Sequence, residues 1–188
     1  MENYNFKKKL IILNKKNVAL IGHMGSGKSI LARTIAKKLR INHIDTDLEI
    51  SKFEKKTIND IFLSKGESYF RDLESKIVTK LLDQPNTVLS LGGGSVLNKQ
   101  IRDKLKSNSI TVFLDVNLNE LHKRLTYSKK RPLIKNTNIF LKVKELDTQR
   151  RKYYLKADIR IHNVNSINES YLSFIEIFSK LNDKNNKN

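Results

Sequence analysis

The sequence predicts an α/β fold with a parallel sheet, and two observations predict it. Short apolar runs alternate along the chain with longer stretches of helical periodicity, which is typical of parallel strands joined by crossover helices. The first run, 17–21, is followed directly by the glycine-rich segment 22–29 and then by a helical stretch that ends at Leu39. We expect ligands of such a sheet to bind at the carboxyl ends of its strands.

The apolar runs predict the strands, and the stretches between them predict the helices. The predicted strands are 17–21, 42–45, 87–91, 110–115 and 158–162. A helical region starts near Leu48, and the last helix lies around 171–181. The 188 residues suit one domain, which we place at 17–181, with an N-terminal extension (1–16) and a polar tail (182–188).

The stretch 57–81 predicts a capped helix that is broken once and then continues. Thr57 and Asp60 fit a reciprocal cap, and Gly66 breaks the helix. Beyond the break, one face carries the apolar residues Phe70, Leu73, Ile77 and Leu81. Arg71 and Glu74 lie off that face, where a solvated residue or an ion pair is the plain interpretation.

The segment Gly22–Ser29 reads Gly-His-Met-Gly-Ser-Gly-Lys-Ser, which is the pattern of a phosphate-binding loop. Glycines let the backbone turn its N–H groups toward phosphates, and the following helix adds its positive end. Lys28 would bridge the β and γ phosphates, and the Ser29 hydroxyl would coordinate Mg²⁺. A chance Gly/Ser turn before a lysine is the alternative. Because both flanks match, we predict a nucleoside triphosphate site.

Two further clusters follow the second and third predicted strands. A carboxylate of Asp45 or Asp47 could hold Mg²⁺ through water or orient a substrate hydroxyl, although both could simply cap a helix. The triplet Gly92, Gly93 and Gly94 would let a ligand approach the backbone, although such triplets also occur in ordinary turns.

A basic stretch at 126–133 contains Arg131 and Pro132 and lacks helical periodicity. A loop that carries an arginine beside a phosphate site suggests a lid that brings positive charge to the transferring phosphoryl group. A plain solvated loop is the alternative.

Composition and charge limit the class of protein. The chain has no cysteine, which excludes disulfides and thiolate chemistry and suits a reducing compartment. No apolar stretch approaches the length of a membrane span or signal peptide, so we expect a soluble intracellular protein with no membrane partner. The net charge is +18, from 37 Lys and Arg against 19 Asp and Glu. Because this excess is spread along the chain, we favour a general Lys/Asn/Ile bias over a nucleic-acid site.

Together these segments resemble the shikimate kinases. The matching segments occur in the order and approximate spacing of that family, at 22–29, 44–47, 70–74, 91–94 and 130–133. The resemblance covers about residues 17–180. It implies a three-layer α/β/α fold of P-loop kinase type with a five-stranded parallel sheet, and a lid at about 126–138. It also implies that a cytoplasmic monomer transfers the γ-phosphoryl group of ATP to the 3-hydroxyl of shikimate with Mg²⁺, in chorismate and aromatic amino acid biosynthesis.

The resemblance also implies the residues of the nucleotide site. Those expected to bind ATP are Gly25, Ser26, Gly27, Lys28, Ser29, Ile30, Arg124 and Arg131. Among them Arg124 would stack on the adenine and Arg131 would reach the phosphates from the lid. Mg²⁺ would be held by Ser29 and, through water, by Asp45. Lys28, Asp47 and Arg131 would be catalytic.

For the acceptor, the resemblance implies that Asp47 contacts the substrate hydroxyls and acts as the base. Arg71 would bind the shikimate carboxylate as a guanidinium fork, and the triplet Gly92–Gly94 would line the site, with the Gly93 N–H facing the substrate. A second carboxylate-binding arginine is expected in the last helix before the final strand. The family motif of Arg, two residues and Leu-Tyr is altered in this helix. We prefer Arg150 to Arg151 from its spacing along the sequence to Arg131.

Three other functions share part of this evidence. Gluconate-type and nucleoside monophosphate kinases have the phosphate loop but do not predict the combination of Asp45, Asp47, Arg71 and the glycine triplet. A nucleotide-dependent RNA-binding protein would explain the charge and leave those residues unexplained. A catalytically silent ATP-binding regulatory module also stays open, because a sequence does not reveal turnover.

Overall fold

The computed structural model describes residues 3–126, 138–162 and 166–182, and within them five parallel strands form one sheet. The strands are β1 (Asn17–Ile21), β2 (Asn42–Asp45), β3 (Thr87–Ser90), β4 (Ser109–Asp115) and β5 (Ile159–His162). Their spatial order is β2-β3-β1-β4-β5, so β1 lies at the centre between β3 and β4. The predicted α/β fold with a five-stranded parallel sheet is therefore confirmed, and the predicted strand bounds agree within one residue.

Helices cover both faces of this sheet. They are α1 (Asn3–Ile12), α2 (Lys28–Leu39), α3 (Thr46–Glu54), α4 (Ile58–Leu81), α5 (Lys99–Asn108), α6 (Leu118–Thr126), α7 (Ile139–Tyr154) and α8 (Ile167–Lys180), with a short 3₁₀ turn at Ser95–Leu97. Within the described ranges, no helix combines the length and the apolar character that a membrane span requires.

Two apolar cores separate the three layers. On one face α1, α2 and α8 pack against alternate strand residues such as Val18 and Leu20. On the other face α4, α5 and α7 pack against the strand residues that alternate with these, such as Ala19 and Ile21. Strand β1 is consequently buried at all five positions, which explains its unbroken apolar run.

The N-terminal segment is part of the first core. Phe6 and Leu10 of α1 are fully buried, and the Phe6 ring stacks on the Phe178 ring of α8 at 5.1 Å between centroids. The Lys9 ammonium also donates to the Ser179 carbonyl at 3.0 Å. The sequence analysis predicted no element here, yet Phe6 and Leu10 have the four-residue spacing that places side chains on one helix face.

Helix α4 begins as predicted and is kinked rather than ended at Gly66. The Thr57 hydroxyl accepts a hydrogen bond from the Asp60 N–H at 3.2 Å. Gly66 has φ 81° and ψ 173°, a conformation that is essentially restricted to glycine, and helical geometry resumes after it. Phe70 and Leu73 are buried as predicted, in a small core shared with α3.

Candidate functional site

The predicted clusters meet at one edge of the sheet because β2, β3 and β1 are neighbours and run in the same direction. The phosphate loop follows β1, Asp45 ends β2, and the glycine triplet follows β3. Thr46, the first residue of α3, ties two of these segments together. Its hydroxyl accepts from the Gly92 N–H at 3.1 Å and donates to the Ser90 carbonyl at 3.3 Å.

The phosphate loop has the backbone that its glycines predict. Gly25 and Gly27 have φ angles of 77° and 94°, which lie in the left-handed region that favours glycine. The Lys28 ammonium is buried and donates to the His23 carbonyl at 2.6 Å, across the loop. The Ser26 hydroxyl is also buried and has no hydrogen-bond partner among the described residues.

Helix α2 starts directly from this loop. Its N-cap is Gly27, and within the described part of the chain no side chain caps that end. A phosphate group is a suitable partner for the N–H groups of a helix start that has no side-chain cap. It also suits a buried hydroxyl such as that of Ser26. The loop therefore fits the triphosphate of a nucleotide. The Ile30 N–H already donates to the Gly27 carbonyl at 3.1 Å, and the Ile30 side chain is exposed.

Ser29 and Asp45 form a pair of hard oxygen donors beside the loop. The Ser29 hydroxyl donates to Asp45 Oδ2 at 2.6 Å, and the Ser90 hydroxyl donates to the same oxygen at 2.9 Å. The other carboxylate oxygen, Oδ1, accepts from the N–H groups of Asp47 and Leu48 at the start of α3. Asp45 is thus a helix cap, as the alternative interpretation held, and it still presents an oxygen to Ser29.

A hydroxyl next to a carboxylate suits Mg²⁺, which prefers oxygen ligands and usually keeps several waters. Within the described residues, no group of three or more His, Asp and Glu side chains is placed to hold a metal. The Ser29 hydroxyl and the Asp45 carboxylate fit a Mg²⁺ ion that also binds water and phosphate oxygens.

Each glycine of the triplet faces a charged side chain, which explains why this segment contains no side chain of its own. A Cβ added at Gly92 would lie 2.6 Å from Asp47 Oδ1, and one added at Gly94 would lie 2.6 Å from Arg71 Nη1. A Cβ added at Gly93 would lie 3.3 Å from Arg150 Nη1. The triplet therefore brings Asp47, Arg71 and Arg150 together around a surface of bare backbone.

Arg71 is held in this position by two glutamates of its own helix. Its Nη1 donates to Glu74 Oε2 at 2.8 Å, and its Nη2 donates to Glu67 Oε1 at 3.1 Å. Burial lowers the pKa of Arg71, but Glu74 and Glu67 outweigh that effect and hold the pKa above its usual value. Its guanidinium also lies over the Phe70 ring, 5.2 Å from the centroid.

Glu74 forms the ion pair with Arg71 that was one of the two plain interpretations of the sequence, but it is buried rather than solvated. Its side chain is only 2% exposed, and Oε1 accepts from the Ser95 hydroxyl at 2.6 Å while Oε2 accepts from Arg71. A buried carboxylate needs such partners because burial without them is costly. The periodicity of α4 did not reveal this role, because the partner Ser95 lies beyond β3.

The two candidate arginines of α7 point in different directions. Arg150 is 6% exposed and lies beside Gly93, and its Nε has no hydrogen-bond partner among the described residues. Arg151 instead forms ion pairs with Asp115 of β4 and Asp147 of α7, both at 3.3 Å. The geometry therefore places Arg150, and not Arg151, against the glycine triplet.

A tyrosine fixes the end of α7 against the same segment. The Tyr154 hydroxyl donates to the Gly93 carbonyl at 2.6 Å, and its ring stacks on Phe113 of β4. Burial raises the pKa of Tyr154 to about 12, against the opposing effect of Arg150, so this hydroxyl stays protonated at neutral pH.

Sequence reasoning also missed a contact between the phosphate loop and α7. His23 is 3% exposed, and its Nε2 lies 2.8 Å from Asp147 Oδ1. The two residues are 124 positions apart, and neither belongs to a pattern that would have identified the other.

Of the remaining predicted residues, some lie within the described part of the chain and others do not. Arg124 lies on α6, where its Nε donates to Glu120 Oε1 at 2.7 Å. That helix borders the phosphate loop, since a Cβ added at Gly25 would lie 3.1 Å from the Leu125 side chain. Arg131 and most of the predicted lid, residues 127–137, lie outside the described residues.

Comparisons with known proteins identify the family of this chain. The sequence model of the shikimate kinase family matches residues 24–181. A shikimate kinase of Persephonella marina is 42% identical over 146 residues, which are 78% of this chain and 88% of that protein.

Solved structures give the same result. The shikimate kinase of Aquifex aeolicus has a TM-score of 0.77 at 36% identity and matches 87% of this chain and 96% of its own. The shikimate kinase of Acinetobacter baumannii in complex with shikimate has a TM-score of 0.80 at 28% identity and matches 92% of this chain and 99% of its own. The chain belongs to the shikimate kinase family.

Proposed function

We propose that this chain transfers the γ-phosphoryl group of ATP to the 3-hydroxyl of shikimate, giving shikimate 3-phosphate and ADP. One observation supports the proposal above all. Asp47, Arg71 and Arg150 converge on the glycine triplet, one strand away from the phosphate loop. A phosphoryl donor and an anionic polyol could therefore bind side by side at the carboxyl edge of the sheet.

In the nucleotide half, the backbone N–H groups of residues 25–29 would bind the phosphates. The His23 carbonyl holds the Lys28 ammonium at the centre of the loop. From there Lys28 would contact the β and γ phosphates, either in place of this carbonyl or in addition to it. Ser29 and Asp45 would hold Mg²⁺ in the place where they now contact each other. Bound there, Mg²⁺ would neutralise charge on the phosphates.

In the acceptor half, Arg71 and Arg150 would bind the carboxylate of shikimate. The Arg150 guanidinium is buried and its Nε has no hydrogen-bond partner among the described residues, which is costly without an anion. Arg71 is already oriented by Glu67 and Glu74, so it loses little conformational entropy when it binds. The Gly93 N–H would complete the contacts to the acceptor.

The transfer itself needs a base at the 3-hydroxyl and charge at the phosphoryl group. Asp47 would accept the hydroxyl proton while the O3 atom forms a bond to the γ-phosphorus and the bond from that phosphorus to the bridging oxygen of ADP breaks. Lys28 would stabilise the charge that develops on the phosphoryl oxygens. Arg131, which lies outside the described residues, would add positive charge from the lid, and Arg124 would stack on the adenine.

We also propose that the chain works as a cytoplasmic monomer with small molecules as its partners. The described residues of the site all come from one chain, which supports a monomer. The charge of +18 then reflects composition rather than a nucleic-acid site.

The experiment that tests the function is a coupled ADP-release assay with ATP, Mg²⁺ and a panel of acceptors. We expect turnover that depends on both shikimate and Mg²⁺, and little turnover with gluconate or nucleoside monophosphates. Equal or faster turnover with one of those acceptors would reject shikimate as the substrate. ATP binding without turnover on any acceptor would favour a silent regulatory module.

A further inference from the structure

The imidazole of His23 connects the phosphate loop to α7. Its Nε2 lies 2.8 Å from Asp147 Oδ1, and its ring meets the Tyr154 ring edge-on with 5.0 Å between centroids. His23 is 3% exposed and the Asp147 side chain is 14% exposed, so water competes little for this hydrogen bond. The contact is therefore a fixed link between two segments that are distant in sequence.

The same helix carries the arginine of the acceptor site. Arg150 lies three residues after Asp147, which places both on one side of α7. A Cβ added at Gly93 would lie 3.3 Å from Arg150 Nη1, 3.3 Å from the Gly22 carbonyl and 3.4 Å from the Met24 N–H nitrogen. Gly93 thus has Arg150 on one helix and the backbone on both sides of His23 as its nearest neighbours.

Burial of His23 favours a neutral ring. Burial lowers its pKa, Asp147 raises it, and the cations Arg150 and Lys28 lower it again, with a pKa below the usual value as the result. A carboxylate only accepts hydrogen bonds, so the neutral ring carries its proton on Nε2 and donates it to Asp147. Asp147 also pairs with Arg151, which fixes the carboxylate from the solvent side.

We propose that His23 and Asp147 are a positioning pair, which holds α7 against the phosphate loop so that Arg150 meets the acceptor carboxylate in line with the γ-phosphoryl group. The inference rests on the proposed function and extends it, because it makes acceptor binding depend on a residue of the nucleotide loop. The pair does not touch the reacting atoms. Its loss should therefore weaken acceptor binding more than nucleotide binding.

The test compares His23→Phe, Asp147→Ala and the double variant, with ADP release measured against shikimate and ATP separately. His23→Phe keeps a ring against Tyr154 and leaves Asp147 paired with Arg151, so it should fold. We expect each single variant to raise the KM for shikimate about tenfold, since a displacement well under 1 Å already costs about that much. The KM for ATP should stay within about twofold, because Lys28 and the loop glycines remain.

Two further variants distinguish positioning from a general loss of structure. In Asp147→Asn the amide oxygen still accepts from Nε2, so the KM for shikimate should return close to the wild-type value. The matched control Thr148→Ala changes the exposed neighbour of Asp147 and should have no effect. The double variant should be no worse than either single variant, because both remove the same contact.

An unchanged KM for shikimate in His23→Phe would overturn the inference, and that variant decides alone if Asp147→Ala fails to fold. An equal rise in the KM for ATP, or effects that multiply in the double variant, would also overturn it. The wild-type enzyme separates the two hypotheses. Absence of shikimate-dependent ADP release there contradicts the proposed function, whereas wild-type turnover with unaffected variants contradicts the positioning pair alone.

Discussion

Substitution of Gly92 by alanine should lower the turnover rate strongly without unfolding the protein. The added Cβ would lie 2.6 Å from Asp47 Oδ1, whereas an ordinary contact begins at about 3.4 Å, so the carboxylate must retreat by about 0.8 Å. A misplacement of 1 Å in a catalytic group costs on the order of 100-fold in rate. We therefore expect kcat to fall about 100-fold, with the KM for ATP unchanged.

The backbone of Gly92 does not oppose this substitution. Its φ lies outside the left-handed region, and the atoms that must move are the ends of side chains rather than backbone: Asp47 Oδ1 most, and Glu74 Oε1 and Ser95 Oγ, at 3.1 Å and 3.3 Å from the added Cβ, by a few tenths of an ångström. The free energy of unfolding should change by less than about 1 kcal/mol, which is roughly 2–4 °C in Tm for a chain of this length. The assays are coupled ADP release at saturating shikimate and thermal unfolding followed by circular dichroism.

Gly66→Ala is the matched control, because its effect should be the reverse. A Cβ at Gly66 would meet no atom within 4 Å, but φ 81° and ψ 173° strain any other residue. This strain costs about 1–3 kcal/mol, so Tm should fall while kcat below Tm is unchanged. Wild-type kcat in Gly92→Ala would refute the reasoning, because the position of Asp47 over Gly92 would then be irrelevant to the chemistry.

Three more substitutions test other parts of the account. Asp47→Asn keeps the shape of the side chain but loses the proton acceptor, so turnover should collapse while ATP binding, measured by calorimetry, survives. Asp45→Asn should instead raise the Mg²⁺ concentration that is needed for the half-maximal rate. Arg150→Ala removes one of two charged partners of a carboxylate and should cost about 1.5–3 kcal/mol, or ten- to hundredfold in the KM for shikimate, with a smaller effect of Arg151→Ala. Phe6→Ala empties a fully buried site and should lower the free energy of unfolding in urea by about 3–5 kcal/mol.

Each of these has a result that would contradict it. If higher Mg²⁺ rescued Asp47→Asn as well as Asp45→Asn, Asp47 would act on the metal. A larger defect in Arg151→Ala than in Arg150→Ala would reverse the assignment on α7. Ile11 of α1 is 76% exposed, so a loss in Ile11→Ala as large as that in Phe6→Ala would mean that the burial of Phe6 is not what stabilises the fold.

The sequence predicted the parts of the site that depend on local order along the chain. A parallel sheet brings the ends of neighbouring strands together, so the phosphate loop, Asp45 and the glycine triplet could be assigned to one edge before their contacts were known. The triplet itself looked weak as a sequence feature. The three glycines are explained by the space around them, because each one makes room for a charged side chain that comes from another segment.

The parts that sequence did not predict depend on contacts between distant segments. Glu74 can be buried because Ser95 and Arg71 bind it. The periodicity of α4 does not predict the contact with Ser95, because that residue lies outside α4. His23 and Asp147 meet only through the packing of α7 against the phosphate loop. The sequence analysis preferred Arg150 to Arg151 only from its spacing to Arg131. The rotation of α7, which one residue of register changes by about 100°, gives the physical reason, because it sets Arg150 beside Gly93.

The most direct test of the central claim is the structure of the product formed from ATP and shikimate, determined by ³¹P and ¹H nuclear magnetic resonance. We predict a single phosphate monoester on O3, with coupling between the phosphorus and the proton on C3, because in the proposed function that hydroxyl lies between Asp47 and the phosphate loop. A phosphate on another hydroxyl, or release of inorganic phosphate alone, would contradict the account.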